Sequence, residues 1–327
     1  MKKPPKAYYD ELVEKINNEL RTAVTDEFPP DLYSPMRYVL SARGKRFRPI
    51  MSIWACEAVG GALKDAFNAS LALEILHNFT LVHDDIMDND DLRRGRETVH
   101  KKWNENIAIL AGDGLIALAY RFLLRSETPD LKELAGIFSE AIITICEGQS
   151  LDKDLESRDD VDLEEYYDMI RRKTAILISV SAEIGCLLGR AEPDVRSAVT
   201  EFGMDLGLAF QIQDDLLDII SEEEIIGKDI GSDLAQGKKT YPIIMFNQRA
   251  DKKSRDMLYK NFLNSKPTTE KMALTRKVFE DFGVVEDTYR EVSMLIERAE
   301  NLLGSVSDKI NSEYLIHLSD MIKNRKY

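Results

Sequence analysis

The chain has 327 residues, of which 44% are hydrophobic and 31% are charged, and its net charge is -14 at pH 7. This composition is typical of a folded globular protein and excludes an intrinsically disordered chain. The strong negative charge argues against a surface that binds nucleic acid or an anionic membrane. Four histidines without metal-ligand spacing give no zinc site.

Compartment is predicted from the apolar segments and the cysteines. The N-terminal residues contain no apolar signal region, and the most apolar later run, residues 175–188, is interrupted by Glu183. Cys56, Cys146 and Cys186 lie far apart in apolar contexts, which predicts small core residues in a reducing compartment. We therefore expect a cytoplasmic protein without stable membrane insertion.

Hydrophobic periodicity is helical along almost the whole chain. The predicted helices are, in chain order, 8–22, 36–42, 50–59, 71–88, 107–124, 131–147, 164–188 and 195–220, with shorter amphipathic helices from Tyr241 onward. A connection with three prolines precedes the second helix, residues 89–100 form a polar turn, and residues 222–237 form a loop. Because strand patterns and linkers are missing, we predict an all-α, single-domain helical bundle over residues 1–327.

The helix predicted over residues 71–88 organises the chain. It is apolar on most of its circumference, which is typical of a buried helix, but polar residues recur at steps of three and four and so share one face. These polar residues are Ser70, Glu74, His77, Thr80, Asp84 and Asp88. A polar stripe on a buried helix must face partners, water or a ligand, since an unpaired buried polar group costs about 1–3 kcal/mol.

Carboxylates are concentrated at the end of this helix and occur again in the same pattern further along. The motif Asp-Asp-x-x-Asp appears as Asp84, Asp85 and Asp88, and a second time as Asp214, Asp215 and Asp218 on another strongly apolar helix. Such clusters repel themselves unless a cation lies among them. Oxygen-only ligands suit Mg2+ bridged to substrate phosphates, so we interpret both motifs as metal sites. An acidic helix end explains one copy alone, but two matching copies argue against it.

Basic residues gather beside the acidic motifs. One group is Arg43, Lys45, Arg46 and Arg48; the others are Arg93, Arg94 and Arg96, then Arg171, Arg172 and Lys173, and finally Lys228, Lys238 and Lys239. Guanidinium groups bind phosphate oxygens in pairs, and ammonium groups bind them as point charges. Carboxylates that hold Mg2+ opposite such cations are what a diphosphate site needs.

An ordered set of motifs resembles the trans-isoprenyl diphosphate synthases. These motifs are Gly44-Lys45-Arg46-Phe47-Arg48-Pro49, the first Asp motif followed by Leu92-Arg93-Arg94-Gly95, Gly148-Gln149 with Asp152, Lys173-Thr174, Phe210-Gln211 with the second Asp motif, Gly227-Lys228, Asp233, and Gly237-Lys238-Lys239-Thr240-Tyr241-Pro242. The resemblance extends from about residue 37 onward. It implies the isoprenoid synthase fold, a helical bundle around a central apolar cavity.

The resemblance also implies a role for each matching residue. Three Mg2+ ions held by Asp84, Asp88 and Asp214, with Asp85, Asp215 and Asp218 in support, would bind the diphosphate of an allylic substrate. The same diphosphate would be bound by Arg93, Lys173, Lys228 and Lys238. Isopentenyl diphosphate would be held by Lys45, Arg48, His77 and Arg94. Thr174 and Gln211 would lie near the carbon that becomes positive. The tail from Lys323 to Lys326 would close over the diphosphate of isopentenyl diphosphate.

Product length is expected to depend on two residues just before the first Asp motif. In the family, the positions four and five residues before the first Asp restrict chain growth, and here they are Thr80 and Phe79. Helix geometry places Thr80 one turn behind Asp84 and turns Phe79 well away from it. Phe79 as a wall therefore rests on the resemblance. An aromatic there implies a C15 or C20 product and leaves those two lengths open; a core phenylalanine without this role is the alternative.

The reaction implied by the resemblance is Mg2+-dependent condensation of isopentenyl diphosphate with dimethylallyl, geranyl or farnesyl diphosphate. The alternatives are a longer-chain synthase, a class I terpene cyclase, a non-catalytic subunit of a heteromeric synthase, and a purely structural bundle. A cyclase does not bind isopentenyl diphosphate, so Lys45, Arg48 and Arg94 argue against it. A homodimer is expected from the family, with the apolar helices between Ile107 and Glu147 as candidates for the interface.

Overall fold

The computed structural model describes residues 3–220, 234, 236–262 and 269–325. From the N-terminus the helices are α1 (Pro5–Thr22), α2 (Pro30–Leu40), α3 (Phe47–Ala58), α4 (Leu63–Met87), α5 (Val99–Lys102), α6 (Glu105–Leu123) and α7 (Leu131–Glu156). Two short strands, β1 (Leu92–Arg93) and β2 (Arg96–Glu97), form an antiparallel hairpin between α4 and α5.

The second half of the described chain is also helical. It contains α8 (Leu163–Ile170), a π-helical segment (Arg171–Ala175), α9 (Ile176–Leu188), α10 (Pro193–Ile220), α11 (Tyr241–Arg249), α12 (Lys252–Phe262), α13 (Thr269–Asp281), α14 (Val284–Gly304) and α15 (Glu313–Lys323). The all-α prediction is confirmed. Most of the loop predicted over residues 222–237 lies outside the described residues.

Three local predictions were wrong. Helix α2 begins at Pro30 and contains Pro35, because proline suits the first turn, where the N–H has no helical partner, and because Pro35 is buried by packing. The turn predicted over residues 89–100 contains the β1–β2 hairpin, which Gly95 closes with a φ of 71°. Cys146 is exposed, whereas Cys56 and Cys186 are buried as predicted.

The described chain divides into two compact units. Unit 1 contains Met1–Glu140, Leu177–Glu201 and Leu302–Leu318, and unit 2 contains Ala141–Ile176, Phe202–Asn301 and Ser319–Tyr327. The prediction of a single domain stays a prediction.

Unit 1 is built around α4, which packs against α3 and α6. The helix starts where the Ala62 N–H donates to the Asp65 carboxylate at 2.9 Å, and from Ala66 to Phe79 nearly every side chain is buried. α6 approaches closely, since a Cβ on Gly112 would lie 2.1 Å from the His83 ring. This packing holds the polar stripe of α4 in a fixed orientation.

Helix α6 has an additional property. Among the described residues, it is the single helix that is long and apolar enough to cross a membrane, and 44% of its most apolar stretch is buried inside the fold. The core helix of a globular protein has the same length and composition. The predicted lack of membrane insertion stays a prediction.

Unit 2 contains a π-helical segment held between two glycines. A Cβ on Gly148 of α7 would lie 2.2 Å from the Lys173 backbone nitrogen, and a Cβ on Gly207 of α10 would lie 2.5 Å from the Ala175 Cα. Only glycine allows backbones to approach this closely. The wider π-helical turn, a geometry common at functional sites, therefore lies between α7 and α10 and carries Lys173 and Thr174.

Gly148→Ala is expected to destabilise the protein by about 1–3 kcal/mol or more, because the added methyl group meets backbone atoms that cannot rotate away. Thermal unfolding measures the effect. Gly136→Ala is the matched control on α7, since a Cβ there meets nothing within 4 Å. Gly136→Ala should be as stable as the wild-type protein, or more stable by roughly 0.5–1 kcal/mol, as expected for Gly→Ala in a helix. Equal melting temperatures for the two variants would contradict this packing.

Candidate active site

The first Asp motif lies where α4 ends. Asp84 and Asp88 are partly exposed and one helical turn apart, and the Asp88 N–H donates to the Asp84 carbonyl at 2.8 Å. Asp85, between them, is buried. The motif therefore presents its first and third carboxylates outward and turns the second one inward.

Arg93 on β1 holds the inward carboxylate. Its Nε donates to Asp85 at 2.5 Å and its Nη2 donates to Asp90 at 3.1 Å. Burial raises the pKa of Asp85 to about 6, although the charge of Arg93 and its hydrogen bond act in the opposite direction. Arg93 was predicted to bind a diphosphate, and here two of its nitrogens bind carboxylates.

Arg48 on α3 and His77 on α4 form a cationic corner in unit 1. Arg48 Nη1 lies 3.2 Å from His77 Nε2. Burial and the nearby arginines, Arg48 first, lower the pKa of His77 well below its ordinary value. The ring is therefore neutral at pH 7, and since arginine only donates, Nε2 accepts and the proton lies on Nδ1.

Burial also lowers the pKa of Arg48 to about 10, so the guanidinium stays charged at neutral pH. Its Nε is buried and has no hydrogen-bond partner among the described residues. A buried donor of this kind is costly unless a ligand satisfies it. The corner therefore has the chemistry of an anion site.

Two further basic residues of this region differ in role. Arg46 is buried and donates to Glu74 at 2.5 Å and to Asn17 at 2.8 Å, which makes it a structural residue at the start of α3. Arg94 donates to the Arg43 carbonyl at 3.1 Å. A Cβ on Gly44 would lie 2.9 Å from Arg94 Nη1, so Gly44 makes room for that guanidinium. Lys45 is exposed beside it.

The second Asp motif, on α10 in unit 2, repeats the burial pattern of the first. Asp214 and Asp218 are partly exposed and Asp215 is buried. Tyr166 of α8 donates to Asp215 at 2.6 Å, and Gln211 donates to it at 2.7 Å. Each motif thus has an inward carboxylate held by protein donors and two partly exposed carboxylates.

Lys173 and Thr174 extend from the π-helical segment. Lys173 Nζ donates to the buried Asp152 of α7, and Thr174 Oγ1 donates to Gln211 Oε1 at 2.9 Å. Arg172, beside them, pairs with Glu147 at 2.7 Å and Asp168 at 2.9 Å. In the third basic group, Lys173 therefore joins the predicted site residues, whereas Arg172 is held by two carboxylates.

The C-terminal tail reaches the second motif. Arg325 Nη2 donates to Asp214 Oδ1 at 2.6 Å, and the guanidinium lies 4.7 Å from the centre of the Phe210 ring. In this structure the tail residue therefore contacts a carboxylate, whereas the resemblance places the tail over a diphosphate. Lys326 and Lys228 lie outside the described residues, and Lys238 is partly exposed just before α11.

The two predicted chain-length residues lie differently on α4. Phe79 is buried, and its ring packs edge-on against His83 at 4.7 Å between centroids. Thr80 is partly exposed, and its hydroxyl donates to the His77 carbonyl at 2.8 Å. Their roles stay predictions.

The Asp residues fit Mg2+ by their chemistry. Within the described ranges, no three His, Cys, Asp or Glu side chains already form a metal cluster. Mg2+ usually takes one or two carboxylates and completes its shell with water and substrate phosphate. The partly exposed carboxylates of each motif supply ligands of this kind, while the inward ones are committed to protein donors.

A family model described as polyprenyl synthetase matches residues 29–281. The chain belongs to the polyprenyl synthetase family. It is 36% identical over 316 residues to the short chain isoprenyl diphosphate synthase of Methanothermobacter thermautotrophicus, with 96% of each chain covered. It is 38% identical over 325 residues to the geranylgeranyl diphosphate synthase of Methanosarcina mazei, with 97% of this chain and 98% of the relative covered.

Solved structures of polyprenyl synthetases agree with the fold. The geranylgeranyl pyrophosphate synthetase from Pyrococcus horikoshii has a TM-score of 0.89 and 33% identity, and the match covers 98% of this chain and 99% of that one. The enzyme from Corynebacterium glutamicum, solved with isoprenyl diphosphate and magnesium, has a TM-score of 0.84 and 27% identity, with 98% of each chain covered. The predicted isoprenoid synthase fold is confirmed, and so is the prediction of a trans-prenyltransferase of the short-chain, geranylgeranyl diphosphate synthase-like class.

Two features of this polyprenyl synthetase were missed by sequence reasoning. Tyr166 lies eight positions before Thr174 in a polar helix, and no spacing rule connects it to Asp215. Arg46 was grouped with the phosphate-binding cations, yet it pairs with Glu74. The polar stripe contained the signal for the second feature, because a buried glutamate on α4 requires a cation.

The proton of His77 can be followed by NMR. Because its pKa is lowered, we expect its ring C–H resonances to stay fixed from about pH 7.5 to about pH 5.5, where an ordinary histidine becomes charged. The resonance is assigned by its loss in His77→Gln. The urea-unfolded protein is the control, since its histidines titrate near the ordinary value. A folded-state midpoint near that value would contradict the neutral ring.

Proposed function

We propose that this polyprenyl synthetase condenses isopentenyl diphosphate with an allylic diphosphate to give a C15 or C20 all-trans prenyl diphosphate, and that its two Asp motifs hold Mg2+. The observation that carries the residue assignment is the repeated burial pattern, with the second Asp inward and the first and third partly exposed. Three ions are proposed, held by Asp84, Asp88 and Asp214.

Isopentenyl diphosphate is proposed to bind at the cationic corner of unit 1. The unsatisfied Nε of Arg48, the neutral ring of His77 and the guanidinium of Arg94 supply donors, and Lys45 adds a solvent-exposed charge. A neutral His77 with its proton on Nδ1 donates to a phosphate oxygen without adding charge. Since the donors lie on packed helices and a hairpin, they keep the substrate in one orientation.

The allylic diphosphate is proposed to use Lys173, Lys228, Lys238 and Arg93 together with the metal-binding carboxylates. Bound Mg2+ supplies the positive charge that makes the diphosphate a good leaving group. Lys173 is kept in place by Asp152 and can turn its remaining protons to a phosphate oxygen. Arg93 keeps Nη1 for this purpose while its other nitrogens bind Asp85 and Asp90.

The reaction follows from these parts. The allylic C–O bond breaks, the isopentenyl double bond attacks the resulting carbocation, and loss of a proton to the departed diphosphate leaves a chain longer by five carbons. Oxygen atoms of Thr174 and Gln211 are proposed to stabilise the positive carbon electrostatically. No protein nucleophile takes part.

Product length, assembly and compartment are further parts of the proposal. Phe79, buried against His83, is proposed as the wall that limits growth of the product chain, together with Thr80, the next residue.

A homodimer is proposed through α6 and α7, where Ile109, Leu110 and Ile143 are exposed. Cytoplasmic location is proposed from the composition.

The function is tested by incubating the protein with Mg2+, isopentenyl diphosphate and, separately, the C5, C10 and C15 allylic diphosphates, with product lengths resolved. We expect a discrete C15 or C20 diphosphate. Asp84→Ala and Asp214→Ala should stay helical and lose several powers of ten in turnover, because Mg2+ loses a ligand. Asp10→Asn, on the exposed face of α1, is the control for charge. Near-normal turnover in the Ala variants would refute the metal assignment.

Gly44→Ala is expected to raise KM for isopentenyl diphosphate about tenfold, with little change in folding, because the new methyl group displaces the Arg94 guanidinium. Initial rates against isopentenyl diphosphate concentration measure this. The controls are Arg94→Ala alone and the double variant that combines Arg94→Ala with Gly44→Ala. If Gly44 acts through Arg94, the double variant matches Arg94→Ala; additive effects would show that Gly44 acts in another way.

Phe79→Ala is expected to shift the product distribution to longer chains, because removing the ring opens space on the buried side of α4. Chromatography of the dephosphorylated products measures the shift. Phe67→Ala is the matched control, on the same helix and about 18 Å away along its axis. An unchanged distribution in Phe79→Ala would remove this residue from the wall.

A further inference from the structure

A chain of three hydrogen bonds in unit 2 connects a buried tyrosine to the residues proposed to face the reacting carbon. Tyr166 OH donates to Asp215 Oδ2 at 2.6 Å, Gln211 Nε2 donates to Asp215 Oδ1 at 2.7 Å, and Thr174 Oγ1 donates to Gln211 Oε1 at 2.9 Å. Tyr166 is fully buried and Asp215 nearly so, whereas Gln211 and Thr174 are partly exposed. The chain therefore runs from the core to an accessible end.

The chemistry of the donors gives this chain a direction. Gln211 turns its nitrogen toward the Asp215 carboxylate, which accepts, and its oxygen toward the Thr174 hydroxyl, which donates. The single hydroxyl proton of Thr174 is then used on that oxygen. Both exposed groups consequently present oxygen lone pairs, which stabilise a positive charge, and neither presents a free O–H at that point.

Tyr166 supplies the second donor to the Asp215 carboxylate. Burial, and then the negative charge of Asp215, raise the pKa of Tyr166 well above its ordinary value, so its hydroxyl stays protonated and must donate. Gln211 and Asp215 are four residues apart on α10 and so lie on the same face. Tyr166 comes from α8 and closes the arrangement from the other side.

We propose that Tyr166 and Asp215 are positioning residues that hold the Gln211 amide in the one orientation in which Gln211 and Thr174 present oxygen to the carbocation. This inference rests on the proposed function, because it takes the positions of Thr174 and Gln211 near that carbon from it. It also gives Asp215 a role different from metal support, since both of its carboxylate oxygens accept bonds from these donors.

The test compares two unreactive ligands in the presence of Mg2+. One is an allylic diphosphate analogue with a protonated amine at the position of the positive carbon, and the other is the neutral allylic thiolodiphosphate. A site built to stabilise a cation prefers the first. Calorimetry gives the ratio of the two dissociation constants, which separates stabilisation of charge from simple loss of binding.

Tyr166→Phe removes one bond to the carboxylate, and we expect the preference for the ammonium ligand to fall by about fivefold to tenfold. Asp215→Asn also introduces an amide donor and allows Gln211 to turn its oxygen away from Thr174, so a fall of about 100-fold is expected. In Tyr166→Phe, which keeps every carboxylate, the affinity for the thiolodiphosphate and the Mg2+ concentration needed for half-maximal binding should stay within about twofold of the wild-type values. If Tyr166→Phe does not fold, Asp215→Asn still tests the proposal through the ligand preference.

Tyr167→Phe is the matched control. It removes the hydroxyl of the next residue, which donates to Glu291 at the same 2.6 Å but has no bond to Gln211. It should leave the ligand preference unchanged. An unaltered ligand preference in both Tyr166→Phe and Asp215→Asn would overturn the proposal. So would an equal weakening of both ligands, or a tenfold shift in Mg2+ dependence, in Tyr166→Phe. If the wild-type protein neither elongates nor binds either ligand, the proposed function itself fails instead.

Discussion

The cost of burying charge determines how both Asp motifs are built. Each motif turns one carboxylate into the fold, and each of those carboxylates is held by protein donors: Asp85 by Arg93, and Asp215 by Tyr166 and Gln211. The same constraint pairs Arg46 with Glu74 at the start of α3. Because an unpaired buried charge is strongly destabilising, these pairs fix the helix ends on which the exposed groups lie. The first and third Asp of each motif are thereby left partly exposed.

Close backbone packing provides the second constraint. Gly148 and Gly207 let α7 and α10 approach the π-helical segment, and this segment carries Lys173 and Thr174. A regular α-helix there would change the direction of both side chains. In the same way, Gly44 leaves room for Arg94. The space left by these glycines therefore determines the positions of polar groups as much as hydrogen bonds do.

Much of this was predictable from the sequence, for physical reasons. Long apolar runs with a period near 3.6 predict helices well, and the stripe through Glu74, His77 and Asp84 correctly indicated the polar face of α4. The partners of buried polar residues come from distant positions, and a single sequence does not reveal them. Arg46 binds Glu74 of α4 and Asn17, and Tyr166 binds Asp215 of α10. The π-helical turn was not predicted either, because its residues have ordinary helix propensities and the glycines that pack against it, Gly148 and Gly207, are distant in the sequence.

The carboxylates of the Asp motifs are proposed to bind a diphosphate only through Mg2+. Calorimetric titration of the protein with inorganic pyrophosphate, in the presence of Mg2+ and then of a chelator, separates binding through the metal from binding by the basic residues. We expect binding with Mg2+ and at least about 100-fold weaker binding without it, because carboxylates and pyrophosphate repel each other when no cation lies between them. Equal affinity under both conditions would contradict it and would assign diphosphate binding to the basic residues alone.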